Sequence, residues 1–149
     1  MISRQTKWDK RFLALAQHIA GWSKDPSTQT GAVIVDRTGR VVSVGFNGMP
    51  RGVADTADRL NNRDVKYKHI VHCEVNAIVF ARQDLTDCTL YTWPFLSCCP
   101  CASVVIQSGI TRCVAPIVPN DKKERWETEC ARSEDILKEA GVSVRLFCE

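Results

Sequence analysis

The chain has 149 residues, 44% of them hydrophobic and 25% charged, the make-up of an ordinary folded domain rather than a disordered segment. Its net charge of +3 is too small to supply a nucleic-acid-binding face by itself, and no run approaches the ~20 apolar residues of a membrane span. Eight cysteines stand in a chain whose start, MISRQTKWDKRF, lacks an apolar signal core. The expectation is a single domain over residues 1–149 in a reducing, cytoplasmic setting, its thiols free or metal-bound.

Trp8, Phe12, Leu15, Ile19 and Trp22 recur at three- and four-residue steps and predict an amphipathic helix over residues 6–23, ended by the turn Asp25-Pro26-Ser27. Residues 32–35 and 41–46 are β-branched runs around Asp36-Arg37-Thr38-Gly39, a hairpin signal. Residues 47–68 read as a long polar loop, a length that usually accompanies function. Helical periodicity returns over 71–82, residues 89–92 are strand-like, and a helix is expected from Cys98 to a stop at Gly109. Residues 112–115 predict a strand, 124–140 a helix capped by Gly141, and 142–147 a last strand. Helices alternating with strands after a hairpin predict an α/β chain, a three-layer α/β/α arrangement on a mixed sheet.

Within this frame one constellation carries chemistry. His72-Cys73-Glu74 is followed downstream by Cys98-Cys99-Pro100-Cys101. One imidazole and two thiolates make three good ligands for Zn²⁺ and leave the fourth tetrahedral position to water, whose pKa the metal lowers to about 7. Glu74 suits proton transfer better than ligation. Both ligand groups fall at helix starts, where the dipole favours thiolate over thiol. The remaining cysteines, at 73, 88, 113, 130 and 148, form no second C-x-x-C, which disfavours a closed structural knuckle with four protein ligands. H-x-E with C-x-x-C is the signature of zinc nucleobase deaminases.

More of the chain supports a narrower resemblance. The blocks SKDPSTQTGAVIVD (23–36), GFNGMPRG (45–52), HCEVNAI (72–78), TLYTWPF, CCPC into ASVVIQSGI (up to Ile110) and AGVSVR together resemble the deoxycytidylate (dCMP) deaminases. GFNGMPRG and the VNAI tail point to that branch. The histidine at 72 disfavours cytidine deaminases, and the tRNA adenosine and riboflavin-pathway deaminases lack GFNGMPRG. The family usually carries Ala where Cys73 stands and Pro where Ser97 stands.

The resemblance implies a cytidine-deaminase-like fold with a central five-stranded sheet and hydrolysis of dCMP to dUMP and ammonia, supplying dUMP for thymidylate synthesis. A 5-modified dCMP or another cytosine nucleotide is the alternative substrate. It also implies zinc ligands His72, Cys98 and Cys101, with Cys99 pointing elsewhere, and Glu74 as proton carrier. Asn47, Ser23, Lys24, Asp25 and Ser27 are expected at the nucleotide, with Arg51 and Lys122 as further cations and Trp93 and Phe95 as walls for the base. Many members are homohexamers that bind dCTP as activator and dTTP as inhibitor, with Mg²⁺ on the triphosphate. Gly45, Asn47, Gly48 and Arg51 are the corresponding effector candidates.

Overall fold

The computed structural model describes residues 1–148. Its sheet runs in the order β2 (Val41–Phe46), β1 (Gly31–Val35), β3 (Thr89–Trp93), β4 (Arg112–Pro116), β5 (Ser143–Phe147). β1 is antiparallel to both neighbours, while β3, β4 and β5 are parallel, so the sheet is mixed and five-stranded.

Side-chain alternation sorts the two faces. Val33 and Val35 of β1 join Tyr91 and Val114 against Phe12, Leu13 and Ala16 of α1 (Arg4–Ala20). Ala32 and Ile34 face the other way and join Ala77, Ala102, Val105 and Leu137 from α4 (Cys73–Ala81), α5 (Cys99–Gln107) and α6 (Lys123–Glu139). One helix on one face and three on the other make the three layers expected from the sequence. β1 is buried along its whole length, which explains why it reads as a continuous apolar run.

Several boundaries move for local reasons. The first helix starts at Arg4, because the Ser3 hydroxyl accepts the Thr6 N–H as an N-cap should. It stops at Ala20, so Trp22 lies beyond it, its ring edge-on to Phe46. Residues 47–68 are not one long loop. They contain α2 (Ala57–Asn61), capped by Thr56, and α3 (Arg63–His69), capped by Asn62. Both are short and largely exposed, so no apolar stripe announces them.

Two features fix the helices on the sheet. Asp9 of α1, fully buried, accepts from Tyr91 Oη at 2.7 Å, from both Nη atoms of Arg112 at 2.9 and 2.6 Å, from Arg145 at 3.1 Å and from Gln5 at 2.9 Å. One carboxylate therefore ties α1 to β3, β4 and β5. On the opposite face, a Cβ on Gly45 of β2 would lie 2.4 Å from the Cys73 carbonyl and 2.5 Å from the Ala77 nitrogen. Only a glycine lets the backbone of α4 come that close.

Candidate active site

α4 and α5 begin side by side, and each begins at a potential metal ligand. His72 is the N-cap residue of α4 and Cys98 that of α5, both in extended conformation and neither spending its side chain on the cap. Pro100 follows in the first turn of α5, where its missing N–H costs nothing. His72 Nδ1 lies 3.4 Å from Cys98 Sγ and 3.1 Å from Cys101 Sγ, and the three donor atoms all fall within 4.8 Å of one another. Bonds of about 2.0–2.1 Å to nitrogen and 2.3 Å to sulfur put tetrahedral edges near 3.6 Å, so the donor set fits zinc in chemistry and in spacing. Among the described residues no other such cluster of histidine, cysteine and carboxylate groups occurs.

The electrostatics suit a cation. The hydrogen bond with Cys101 draws the Cys98 thiol down to about 4, with His72 helping. The same contact pushes Cys101 up. The hydrogen bond with Cys98 also raises His72. Cys99 lies outside the cluster: its N–H donates to Glu129 Oε1 at 2.9 Å and its thiol faces the Glu129 carbonyl of α6.

Glu74, 5% exposed, lines the cavity beside these donors. Its Oε1 is 4.0 Å from His72 Nδ1. Its Oε2 accepts from Ser97 Oγ at 2.8 Å and lies 3.7 Å from Cys73 Sγ. Trp93 and Phe95 line the same cavity, with Phe95 stacked on Trp126 at 5.2 Å between ring centroids.

The polar loop residues divide. Asp25, Ser27 and Asn47 line the cavity, but they are already engaged with one another. The Asn47 amide accepts from the Thr30 N–H and donates to the Thr28 carbonyl and to Asp25. Asp25 takes an ion pair from Lys66, both buried, at 3.1 Å. Burial would raise the Asp25 carboxyl, but donors on Ser27, Lys66 and Thr28 outweigh it and hold the group below its usual range. Ser23 is buried as a brace, donating to the Asn47 carbonyl. Lys24 is exposed and pairs with Asp55 at 2.7 Å. Of the other candidates, Arg51 lies over the Phe80 ring, away from the cavity lining. Gly45 is spent on the approach of α4, and Gly48 bridges to Val71. Lys122 reaches the Ser27 carbonyl and the Thr28 hydroxyl.

Among the lining residues that escape the sequence reading are Lys66, Tyr67, Arg125 and Trp126. Lys66 and Tyr67 come from α3, whose charged sequence reads as solvated loop. Arg125 lies over Tyr67 at 5.5 Å and over Trp126 at 4.8 Å, and forms no ion pair among the described residues. A lone tryptophan in the polar run KKERWETE is the signal that marks this pair.

Residues 6–117 match the family model described as the cytidine and deoxycytidylate deaminase zinc-binding region. The chain belongs to this family. Among curated deaminases it is 45% identical, over 93% of its length and 92% of the relative's, to an uncharacterized deaminase in the luxG 3′ region of Aliivibrio fischeri. It is 37% identical to the deoxycytidylate deaminase of Mus musculus, over 95% of this chain and 80% of that one. In fold it is similar to the dCMP deaminase of cyanophage S-TIM5 solved with dCMP and dUMP, with a TM-score of 0.73, 19% identity and coverage of 99% and 100%. The deaminase family's zinc-binding region thus contains the one cluster of metal donors found among the described residues.

Proposed function

We propose that this deaminase hydrolyses dCMP to dUMP and ammonia, with His72, Cys98 and Cys101 holding zinc and Glu74 carrying protons. The observation that carries the reading is the buried Glu74 carboxylate set beside three converging donors in one aromatic-walled cavity. Similarity to deoxycytidylate deaminases over nearly the whole chain supports the substrate. Zinc, when bound, supplies a water acidified to near-neutral pKa. Glu74 Oε1, the oxygen on the side of the metal donors, would take a proton from the attacking water and hand it to N3 of the cytosine as oxygen adds to C4. The second proton passes through the same carboxylate to the amino nitrogen, so one water enters and one ammonia leaves. Phe95 and Trp93 hold the ring flat by contact with its faces, and Leu96 and Phe95 help to keep bulk water out.

The 5′-phosphate has a natural counter-charge in Arg125, a guanidinium with no ion pair among the described residues that lies against the Tyr67 and Trp126 rings at the cavity. Asp25, Ser27, Asn47 and Lys66 form the wall beside it, and we assign Asn47 and Ser27 to the sugar and phosphate, with Ser23 and Lys24 behind them. A site built for an anion leaves its cation unpaired when a nucleoside binds, so discrimination should be strong. Ammonia release from dCMP, CMP, dCTP and deoxycytidine, measured side by side, tests the reading. dCMP should lead by a wide margin. Equal rates on dCMP and deoxycytidine would refute the nucleotide assignment.

We infer regulation by dCTP and dTTP with Mg²⁺, in a hexamer, from the resemblance of residues 45–52. The bridge between Gly48 and Val71, with N···O distances of 3.1 and 2.8 Å, ends one residue before His72 and supplies a physical link from that loop to the zinc ligands. A sigmoidal dCMP curve made hyperbolic by dCTP, and a hexameric mass by light scattering, are the expected results. Eight free thiols suit the reducing cytoplasm, and among the described residues no helix is long and apolar enough to cross a membrane.

A further inference from the structure

We propose that Ser97 is a positioning residue for Glu74, fixing which oxygen of the carboxylate does the work. The inference rests on the reading of Glu74 as proton carrier and adds a residue to it. Ser97, 3% exposed, donates its hydroxyl to Oε2 at 2.8 Å. The Cys73 thiol, also buried, reaches the same oxygen at 3.7 Å. Oε1, at 4.0 Å from His72 Nδ1, faces the metal donors instead. The two oxygens therefore have different neighbours.

That asymmetry has a physical consequence. The last torsion of a glutamate is broad and roughly two-fold, so packing alone does not choose between its oxygens. A charge-assisted O–H···O⁻ bond is short, directional and roughly twice as strong as a neutral one. Here it holds Oε2 and turns Oε1 toward the metal donors. The donor is well placed to do so, because Ser97 is joined directly to Cys98, the residue that starts α5. Cys73 is likewise joined to both His72 and Glu74. The two positions at which this chain departs from the usual family pattern thus meet on one atom of the proton carrier.

The test is Ser97→Ala in the full, zinc-loaded chain. Alanine occupies the same place without the hydroxyl. We expect zinc content by atomic absorption and KM for dCMP to stay within about twofold of the parent, while kcat falls about 10- to 100-fold. A second readout is equilibrium binding of pyrimidin-2-one deoxyribonucleoside 5′-monophosphate, which takes up water at its unsubstituted C4 to mimic the tetrahedral state. Its affinity should fall by a factor similar to kcat, and that of dUMP should hold. Unchanged kcat in zinc-loaded Ser97→Ala overturns the proposal. So does loss of zinc, or a rise in KM matched by weaker dUMP binding, since either would make Ser97 a structural residue. A parent enzyme inactive on dCMP refutes the substrate reading instead, and the two failures are distinct in one assay.

Discussion

At the scale of single residues, the proposed site separates ligation from proton transfer. His72, Cys98 and Cys101 hold the metal donors, and Glu74 beside them has one oxygen occupied and one facing inward. Glu74→Gln should therefore retain zinc while dCMP turnover falls by the ~10²–10⁴-fold typical of lost acid–base catalysis. Near-normal turnover in a zinc-loaded sample would end that assignment. The neighbouring cysteines give a second, independent check. Cys98→Ser should strip the metal and the activity, whereas Cys99→Ser, which changes a thiol facing Glu129 of α6, should be mild on both. Equal zinc loss in the two proteins would mean the wrong thiol has been chosen.

At the scale of elements, two helix N-termini meet because β2 lets α4 come close. Gly45→Ala would push a methyl carbon into the Cys73 carbonyl and the Ala77 amide, both backbone groups that cannot rotate away. The helix must shift, and His72 and Glu74 shift with it. We expect Gly45→Ala to lower the thermal midpoint by several degrees, consistent with an overpacking cost of ~1–3 kcal/mol, and to reduce zinc content as well. A protein of unchanged midpoint and full zinc would show that the sheet yields instead.

The elements also show how much of the site the sequence makes legible. Zinc ligation demands particular residue types at particular spacings, so His72, Cys98 and Cys101 stand out as a candidate donor set, and Glu74 stands out by its place two residues after the histidine. The cavity wall cannot be found this way. Arg125, Trp126, Tyr67 and Lys66 come from α6 and α3, far along the chain from the motif, and a charged helix looks solvated until its neighbours are known. Lys66 is the clearest case: it stands among DVKYKH like any surface lysine, yet it is buried against Asp25. Ser23 and Lys24, expected from sequence at the nucleotide, are engaged here as a buried brace on Asn47 and a surface ion pair with Asp55.

At the scale of the whole molecule, stability depends on carboxylates ionised in the fold. Burial alone would raise Asp9, but hydrogen bonds from Arg112, Tyr91 and Gln5 outweigh it and leave the group below its ordinary 3.8. Asp25 is lowered likewise. A depressed folded pKa means that the unfolded chain binds protons first as pH falls. The contribution of both groups is therefore complete well above pH 3.8 and is lost as pH drops below it. Urea unfolding followed by tryptophan fluorescence should give a plateau from neutral pH down to about 5 and a decline beneath about 4. Asp9→Asn should cost ~3–5 kcal/mol at neutral pH, because it leaves two arginines without their buried counter-charge, and should flatten that acid decline. A pH profile identical to the parent's would show that Asp9 is not its source.

The same Asp9 network bears on the order in which the chain assembles. Its partners lie 82, 103 and 136 positions downstream in Tyr91, Arg112 and Arg145. α1 precedes every strand of this domain, yet the full set of partners for its buried charge is complete only when β5 brings Arg145 to it. Closing such large loops is slow, since chain entropy is spent before the contact rewards it. The apolar face of α1, with Phe12, Leu13 and Ala16, has no completed sheet to rest on during that interval. The pairing of α1 with the sheet is therefore a late, long-range event in the folding of this chain, expected to lag behind the local helices and the β1–β2 hairpin.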